Sequence, residues 1–434
     1  MTRPICRRRG GALPVTAGFL GIGVSATLLV MVGSRALSQE AFSGLFVAWT
    51  VATVFGFGVG TPTEQVISRR LNVGAPDPVR GSMRLLRVAA LIAAAVSTVL
   101  ALTSASGRAF GLLGPTAVLA IVGWVAVVEV RSRLAGAGDL VAYGIVLGAE
   151  ALLRVLLLVA GAVFREAAGP LLAASVAVPL LVAAAVGLVF AVPDRPVPDR
   201  EPEDAAAIPA GEHQSFVVVS VGYQVCLQAA VLLLGWRTGS DRQAVVGAFG
   251  AANSYFRSPT VVMGGITTHA LVALSHAWGA ADPARFSAEL RRAVRNIAVV
   301  GLGGSLLALA ASPVVLPLYY PHALGLPPYV IGALVLSTVL ASFGSVMIQP
   351  LLAAGRVRGA ALAWGLGGLL TIALFAMSSG TDVLASLGLV AGPLTALVVA
   401  LVELRRLSAG AGTRPRDGGE PRTVTTSSST PPLG

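Results

Sequence analysis

Two pairs of polar side chains lie inside long apolar stretches of the chain, at a spacing that would let the members of each pair act together on a ligand. Glu150 and Arg154 are four residues apart, and so are Asn253 and Arg257. Residues four apart lie on one face of a helix, so each pair is predicted to present its groups together. The planar guanidinium group of arginine makes paired hydrogen bonds to phosphate oxygens, which makes Arg154 and Arg257 candidates for binding an anionic group. Two halves that close on a central cavity could present both arginines to it.

A structural interpretation stands beside the functional one. Glu150 could neutralise Arg154, in which case the pair only fixes helix packing, whereas Arg257 has no acidic residue near it in the sequence. Gln224 has a second glutamine four residues later, and such amides either bind a ligand or join helices by hydrogen bonds. Together with Asn253, Gln224 is a candidate for lining the same cavity as the arginines.

Further acidic residues could couple transport to a cation or control a gate. Glu64 lies in a polar, proline-containing stretch at the end of an apolar run, where it could bind a coupling cation or simply end a helix in water. Glu150 is the second candidate for coupling or gating. Glu129 is expected to form a salt bridge at a cytoplasmic helix end, where Arg131 and Arg133 follow it closely.

The sequence offers no basis for enzymatic or metal chemistry. The chain has four histidines and two cysteines, Cys6 and Cys226, in no ligand-like cluster, so we expect no metal site, no cofactor and no disulfide. It contains neither a Gly-x-Ser-x-Gly motif nor a phosphate-binding glycine-rich loop before a lysine. The sequence therefore predicts a protein that is not an enzyme.

The elements that must position these residues are membrane helices. The 434 residues are 55% hydrophobic and only 12% charged, with a mean hydropathy of +0.81. A soluble domain carries about 25% charged residues, so this composition cannot build a surface that faces water. Apolar runs of 18 residues or more recur along the chain, and they predict an all-α integral membrane protein.

The apolar runs predict about twelve transmembrane helices in two lobes of six. Their expected bounds are 12–34, 41–62, 85–104, 112–130, 140–164, 168–191, 214–236, 244–274, 289–313, 327–352, 359–378 and 383–404. The predicted domains are an N-terminal lobe at 1–192, a polar cytoplasmic linker at 193–213, a C-terminal lobe at 214–407 and a disordered cytoplasmic tail at 408–434.

The distribution of basic residues predicts the orientation. The net charge of +11 is carried by arginines, and the chain has no lysine. They concentrate at the two ends and in the even-numbered loops. The odd-numbered loops hold only Arg35, Arg108, Arg165, Arg237 and Arg242. Basic residues favour cytoplasmic loops, so the pattern predicts cytoplasmic N- and C-termini and a membrane role for the charge, with no nucleic-acid partner.

A short internal repeat supports two related halves. Residues 74–82 read GAPDPVRGS and residues 279–287 read GAADPARFS, and both follow the second span of their half. The matching positions predict a parallel six-plus-six repeat. The other explanation is that Asp-Pro is a common helix start, with aspartate as the cap and proline in the first turn.

These features resemble the polysaccharide flippases of the multidrug/oligosaccharidyl-lipid/polysaccharide exporter superfamily. The stretch SRALSQEAFSGLF, residues 34–46, is similar to their first loop, where an Arg-x-Leu element and a Glu-x-Phe-Gly-like element lead into the second span. Ser43 stands here between Phe42 and Gly44. The resemblance implies alternating access of the two lobes and movement of a polyprenyl-pyrophosphate-linked oligosaccharide from the inner to the outer leaflet of a bacterial plasma membrane. It also implies head-group binding at Arg154 and Arg257.

Two other functions stay open at the level of sequence. One is a drug or cation antiporter of the same superfamily; related drug exporters place a cation-binding acid in their first-lobe helices, and the first span here contains none. The other is a non-transporting membrane component of a polysaccharide assembly complex. The expected partners are the glycan-lipid, membrane lipids, and a polysaccharide polymerase or other assembly proteins.

Overall fold

The computed structural model of the protein describes residues 12–72, 79–190, 212–239, 243–322, 325–378 and 383–411. All regular elements in these ranges are helices. Nearly all of the predicted linker and most of the predicted tail lie outside the described residues. The last helix continues to Ala411, beyond the predicted lobe boundary at 407.

The described residues of the first half form eight α-helices. They are α1 (Ala12–Ala36), α2 (Gln39–Phe55), α3 (Thr61–Asn72), α4 (Arg80–Thr103), α5 (Ala105–Ala109), α6 (Leu113–Gly136), α7 (Leu140–Val163) and α8 (Ala168–Phe190). A π-helical turn, Gly56–Gly60, joins α2 to α3 in one continuous span.

The described residues of the second half form nine α-helices in a similar order. They are α9 (Glu212–Arg237), α10 (Gln243–Phe256), α11 (Ser258–Gly279), α12 (Pro283–Ile297), α13 (Gly304–Tyr319), α14 (Pro328–Met347), α15 (Gln349–Ala353), α16 (Val357–Met377) and α17 (Val383–Ala411). A π-helical turn, Ala298–Gly303, joins α12 to α13.

The structure confirms the predicted all-helical membrane fold. Within the described residues, eleven helices or joined helices are long and apolar enough to cross a membrane. The remaining predicted span, the eighth at 244–274, is present as α10 and α11 but is not continuous. It is divided at Arg257, because Pro259 stands in the first turn of α11 and cannot continue a regular helix through that point.

The packing of the helices supports the parallel repeat. In the first half, α1 packs along α7, and α8 packs along both α6 and α7. In the second half, α9 packs along α16, and α17 packs along both α14 and α16. The first span therefore lies on the fifth, and the sixth on the fourth and fifth, in each half of the chain.

The helical geometry of the second span changes at a similar short sequence in each half: a π-helical turn ends there in the first half, and the span divides there in the second. Thr61-Pro62-Thr63 opens α3, and Ser258-Pro259-Thr260 opens α11. When these two sequences are matched, Arg257 corresponds to Gly60 of the first half. The last residue of the π-helical turn in the first half is thus a glycine, whereas the residue at the break in the second half is a cation.

The repeated Asp-Pro block has the capping role that the sequence allowed. The side chain of Asp282 accepts a hydrogen bond from the Arg285 backbone N–H at 2.9 Å, and Pro283 opens α12. The equivalent residues 74–78 of the first block lie outside the described residues. Capping therefore explains the Asp-Pro sequence of the second block without excluding the duplication.

The connections after spans one, three, five, seven, nine and eleven form what we call the arginine-poor face. Two of the described arginines there bind carbonyls at helix ends: Arg35 donates to the carbonyls of Met31 and Leu318, and Arg237 donates to the carbonyls of Phe375 and Ala376. Cations are stabilised at the negative ends of helices. This local role accounts for basic residues on a face that otherwise has few.

The two halves are also joined at the arginine-poor face by Gln243, which begins α10 and is 1% exposed. Its backbone carbonyl accepts from the Ser43 hydroxyl at 2.6 Å, and its side-chain Oε1 accepts from the Ser106 hydroxyl at 2.6 Å. Nearby, a ring nitrogen of His322 lies 2.9 Å from the Ser34 carbonyl oxygen. These contacts close this face of the molecule between the halves.

Candidate functional site

Buried charges of the first half form one network centred on Glu150. One carboxylate oxygen of Glu150 accepts from Arg154 at 2.8 Å, and the other accepts from Arg131 at 3.1 Å. All three side chains are at most 4% exposed. The predicted Glu150–Arg154 pair is therefore present, and it is part of a larger arginine–glutamate–arginine triad.

Arg154 is also held by three other helices of the first half. Its Nε donates to the Ser175 carbonyl on α8 at 3.2 Å, and one terminal nitrogen donates to the Ser25 hydroxyl on α1 at 3.1 Å. Its guanidinium carbon lies 5.1 Å from the ring centre of Trp49 on α2, a cation–π contact. Each of the three guanidinium nitrogens thus has a protein acceptor, which matches a role in packing.

Glu64 enters the same region from α3. One of its carboxylate oxygens accepts from the Tyr143 hydroxyl at 2.6 Å, and Glu64 is 7% exposed. Glu64 is therefore buried beside α7 rather than at a helix end in water. Tyr143, Glu150 and Arg154 occupy one face of α7, and together they span about 16 Å along its axis.

Arg131 is the member of this network that sequence reasoning missed. It was expected at a cytoplasmic helix end with Glu129, but Glu129 pairs with Arg133 at 2.9 Å and Arg131 turns inward, 3% exposed. The signal was the buried stripe of α6: Ala120, Trp124 and Val127 are all buried, and Arg131 continues the same helical spacing. An arginine on a buried stripe should be predicted as internal.

The four ionisable groups of this cluster balance one another. We call Glu64, Arg131, Glu150 and Arg154 the first-half network: two acids and two arginines, all buried. A buried ion pair is tolerated when its charges are compensated and hydrogen-bonded. The buried Nε of Arg131 has no hydrogen-bond partner, and the guanidinium carbon of Arg131 lies within 6.0 Å of the Trp124 and Tyr143 ring centres.

Arg257 lies at the break between α10 and α11 in a very different setting. Its Nε donates to the Asn253 side-chain oxygen at 2.5 Å. One terminal nitrogen makes long contacts of 3.5 Å to the Cys226 carbonyl on α9 and 3.4 Å to the Ser337 hydroxyl on α14. The predicted Asn253–Arg257 pair is thus present, and Asn253 orients the guanidinium group.

The other terminal nitrogen of Arg257 has no hydrogen-bond partner. Arg257 is only 5% exposed, and in the described part of the chain it forms no salt bridge with a carboxylate. A buried, unpaired charge is costly, particularly within a membrane-spanning region. The geometry therefore leaves a cation with an unused donor inside the second half.

The predicted glutamines lie close to this site and to the boundary between the halves. The Gln228 side-chain oxygen accepts from the Asn253 amide at 3.1 Å, so it joins α9 to α10. Gln224 is half-buried on α9, and its side chain lies beside Gly58 of the π-helical turn in the first half. Gln224 thus faces the other half of the molecule.

Arg154 and Arg257 share no hydrogen-bond or cation–π partner among the described residues. The partners of Arg154 lie on α1, α2, α7 and α8, and those of Arg257 lie on α9, α10 and α14. On the side opposite Gln243, the halves also meet where a ring nitrogen of His213 lies 3.2 Å from the Thr63 hydroxyl. Among the described residues, no three histidine, cysteine or acidic side chains form a metal-binding group.

Solved structures share the fold of this chain. An outward-facing multidrug resistance MATE family transporter of the MOP superfamily superimposes with a TM-score of 0.62 and 15% identity, over 93% of this chain and 95% of that one. An inward-facing one gives a TM-score of 0.60 and 16% identity, over 92% and 99%. A MOP superfamily transporter from Pyrococcus furiosus, described as having a binding pocket of reverse polarity, gives 0.63 and 14%, over 93% and 95%.

Sequence comparison adds no closer relative. No family model matches the chain, and no curated protein sequence is similar to it. At identities near 15%, structural likeness establishes the fold. The chain therefore has the two-lobed, multi-pass membrane fold of the MATE transporters of known structure.

Proposed function

We propose that this protein is an alternating-access transporter that moves a polyprenyl-pyrophosphate-linked oligosaccharide, or a related glycan-lipid, from the inner to the outer leaflet. The fold is that of solved transporters described in inward-facing and outward-facing conformations. The sequence resemblance to polysaccharide flippases supplies the class of substrate. The electrostatics of the second half favour an anionic head group.

The observation that carries the proposal is the unpaired charge of Arg257. A buried cation with a free donor attracts a phosphate, and it opposes binding of an organic cation in the same place. Asn253 fixes the guanidinium group, and Gln224 lies at the boundary that a substrate would cross. Arg257, Asn253 and Gln224 are therefore the head-group residues in this proposal.

Arg154 has a different place in the proposal from the one predicted. All three of its nitrogens bind protein acceptors, so it supports the first half and acts on the substrate only if the first-half network rearranges. Glu64 and Glu150 belong to that network, and we propose them as the groups that couple or gate the movement. Displacing either acid would leave an arginine uncompensated.

Alternating access requires that the contacts at Gln243 open. A disulfide across this boundary tests the requirement directly. A Cβ placed on Gly247 would lie 2.8 Å from the Ser43 hydroxyl oxygen, so the Ser43→Cys/Gly247→Cys pair can be cross-linked in a background lacking Cys6 and Cys226. Oxidation should stop transport and reduction should restore it, while each single variant stays active. Undiminished transport by fully cross-linked protein would refute movement at this face.

The drug or cation antiporter is the second candidate. The outward-facing and inward-facing transporters with this fold are multidrug resistance transporters, and the first half of this chain holds the buried acids Glu64 and Glu150. The antiporter predicts proton- or cation-dependent efflux of organic cations. The non-transporting assembly component predicts neither activity. Under the leading proposal the protein lies in a bacterial plasma membrane with cytoplasmic termini, and its partners are the glycan-lipid, membrane lipids and polysaccharide assembly proteins.

The test uses purified protein in liposomes that contain a fluorescent polyprenyl-pyrophosphate disaccharide. Chemical quenching of the outer-leaflet fluorophore measures flipping by the wild type, Arg257→Gln and Arg257→Lys. We expect flipping by the wild type, partial activity with lysine and loss with glutamine, because the charge is the attracting element. Arg237→Gln serves as a control arginine that ends a helix.

Two results would reject the flippase. One is the absence of flipping by well-folded wild-type protein together with uptake of organic cations, which supports the antiporter. The other is flipping that is equal in the wild type and Arg257→Gln, which separates the activity from the proposed head-group site. Absence of both activities favours the assembly component.

A further inference from the structure

A groove of about 360 Å³ runs along the outer surface of the second half, between α9 and α16. On α16 it is lined by Leu362, Gly365, Leu366 and Leu369, which are spaced as one helical face. Val218 of α9 forms the opposite wall. The three leucines are 42–65% exposed, so this apolar face is not covered by another part of the described chain.

The groove has a polar end and an apolar end. Arg358 and Ser215 also line it, in the first turn of α16 and of α9. From Arg358 to Leu369 the helix rises about 16 Å. The hydrocarbon of one leaflet is about 15 Å thick, since the whole core is about 30 Å. The groove therefore reaches from the membrane interface to the middle of the bilayer, the length of one lipid chain.

The surface around the polar end is basic. Arg356 and Arg358 are exposed at the start of α16, and the Glu403 carboxylate lies beside Gly359, which places the end of α17, with its exposed Arg405, next to the start of α16. Glu403 forms a salt bridge with Arg406 at 2.6 Å, which offsets its charge. Among the side chains that the structure describes there, the arginines outnumber the carboxylates.

We propose that an anionic phospholipid of the surrounding membrane binds in this groove. Its phosphate lies at Arg358 and Ser215, and one acyl chain lies along Leu362, Leu366 and Leu369. Gly365 provides the width, since a Cβ at that position would already lie 3.4 Å from the Val218 side chain. The site is on the outer surface of the second half, and it does not depend on which substrate the protein moves.

Native mass spectrometry of the purified full-length protein tests the proposal. The protein is titrated with phosphatidylglycerol or with phosphatidylcholine of the same acyl chains. We expect preferential binding of phosphatidylglycerol, by about fivefold for the contribution of one interfacial arginine. Arg358→Gln should remove the preference. Gly365→Leu should lower the occupancy by both lipids, because the larger side chain projects into the groove.

Two control variants distinguish this site from general attraction to a basic surface. Arg285→Gln removes another exposed arginine, on α12, and Gly332→Leu adds a side chain to α14 where no atom lies within 4 Å. Both controls should bind lipid as the wild type does. The proposal is overturned if the wild type binds the two lipids equally, or if the control variants lose binding as much as Arg358→Gln and Gly365→Leu do.

Discussion

The two halves share one packing plan but use buried charge in opposite ways. In the first half, Glu64 and Glu150 balance Arg131 and Arg154, and hydrogen bonds tie the four groups to neighbouring helices. In the second half, Arg257 is buried with one neutral amide as its closest partner and one nitrogen unused. The same duplicated fold thus holds a compensated network on one side and an uncompensated cation on the other.

This difference separates stability from binding within one molecule. Groups whose hydrogen bonds are satisfied inside the protein have few donors or acceptors free for a ligand, and removing one of these groups leaves its partners buried without compensation. A group that is left unsatisfied already costs stability, and a ligand can recover that cost. Substitutions in the first-half network are therefore expected to lower the stability of the protein, whereas substitution of Arg257 is expected to lower its transport activity.

Glu150→Ala should produce the largest loss of stability. It leaves Arg131 and Arg154 buried together without their shared acid, and breaking a buried ion pair costs about 3–5 kcal/mol. The expected result is a lower unfolding temperature in detergent and less folded protein in the membrane. Thermal unfolding followed by size-exclusion chromatography measures it. A variant as stable as the wild type would mean that the network is not needed for packing.

Tyr143→Phe should have a smaller effect on the same network. It removes the hydroxyl that donates to Glu64 at 2.6 Å and leaves a buried carboxylate oxygen without that partner. A hydrogen bond to a charged group contributes about 1.5–3 kcal/mol. The same unfolding measurement applies, with the wild type as the reference. A Tyr143→Phe variant as stable as the wild type would exclude Glu64 from the stabilising network.

Much of this fold could be predicted from apolar periodicity and the alternation of arginines, because the membrane restricts the chain to long helices. The twelve spans and their order were predicted in this way. The interruption at Arg257 was not, although Pro259 stood in the sequence, because prolines are tolerated within membrane helices and do not always divide them. Apolar composition therefore predicts where membrane spans lie better than it predicts where a span is interrupted.

Within the candidate site, only the contacts between residues of the same helix could be predicted from the sequence. The pairs Glu150–Arg154 and Asn253–Arg257 follow from helical spacing, and both are present. Arg131 was counted among loop arginines because it stands near the end of a span, and its bond to Glu150 depends on how α6 packs against α7. Contacts between helices are decided by packing, which the spacing within one helix does not specify.

Arg257→Gln should reduce activity without reducing stability, which is the opposite of the effect expected for Glu150→Ala. Glutamine keeps hydrogen-bonding capacity but removes the buried charge, so stability should be unchanged or raised. Flipping should fall by about tenfold or more, which corresponds to about 1.4 kcal/mol of lost interaction. Unfolding temperature and flipping rate are measured on the same preparation. A strong loss of stability would place Arg257 with the structural charges and remove the contrast between the halves.

Arg133→Ala should have the smallest effect, although Arg133 is only two residues from Arg131. Its pair with Glu129 is exposed, with 46% and 34% of the two side chains accessible. Exposed ion pairs contribute about 0–1 kcal/mol, because water and salt screen them. Arg131→Ala, measured beside it, should be far more destabilising because it removes a buried partner of Glu150. If the two substitutions cost the same, burial would not be what distinguishes these neighbouring arginines, and the stabilising role assigned to the first-half network would fail.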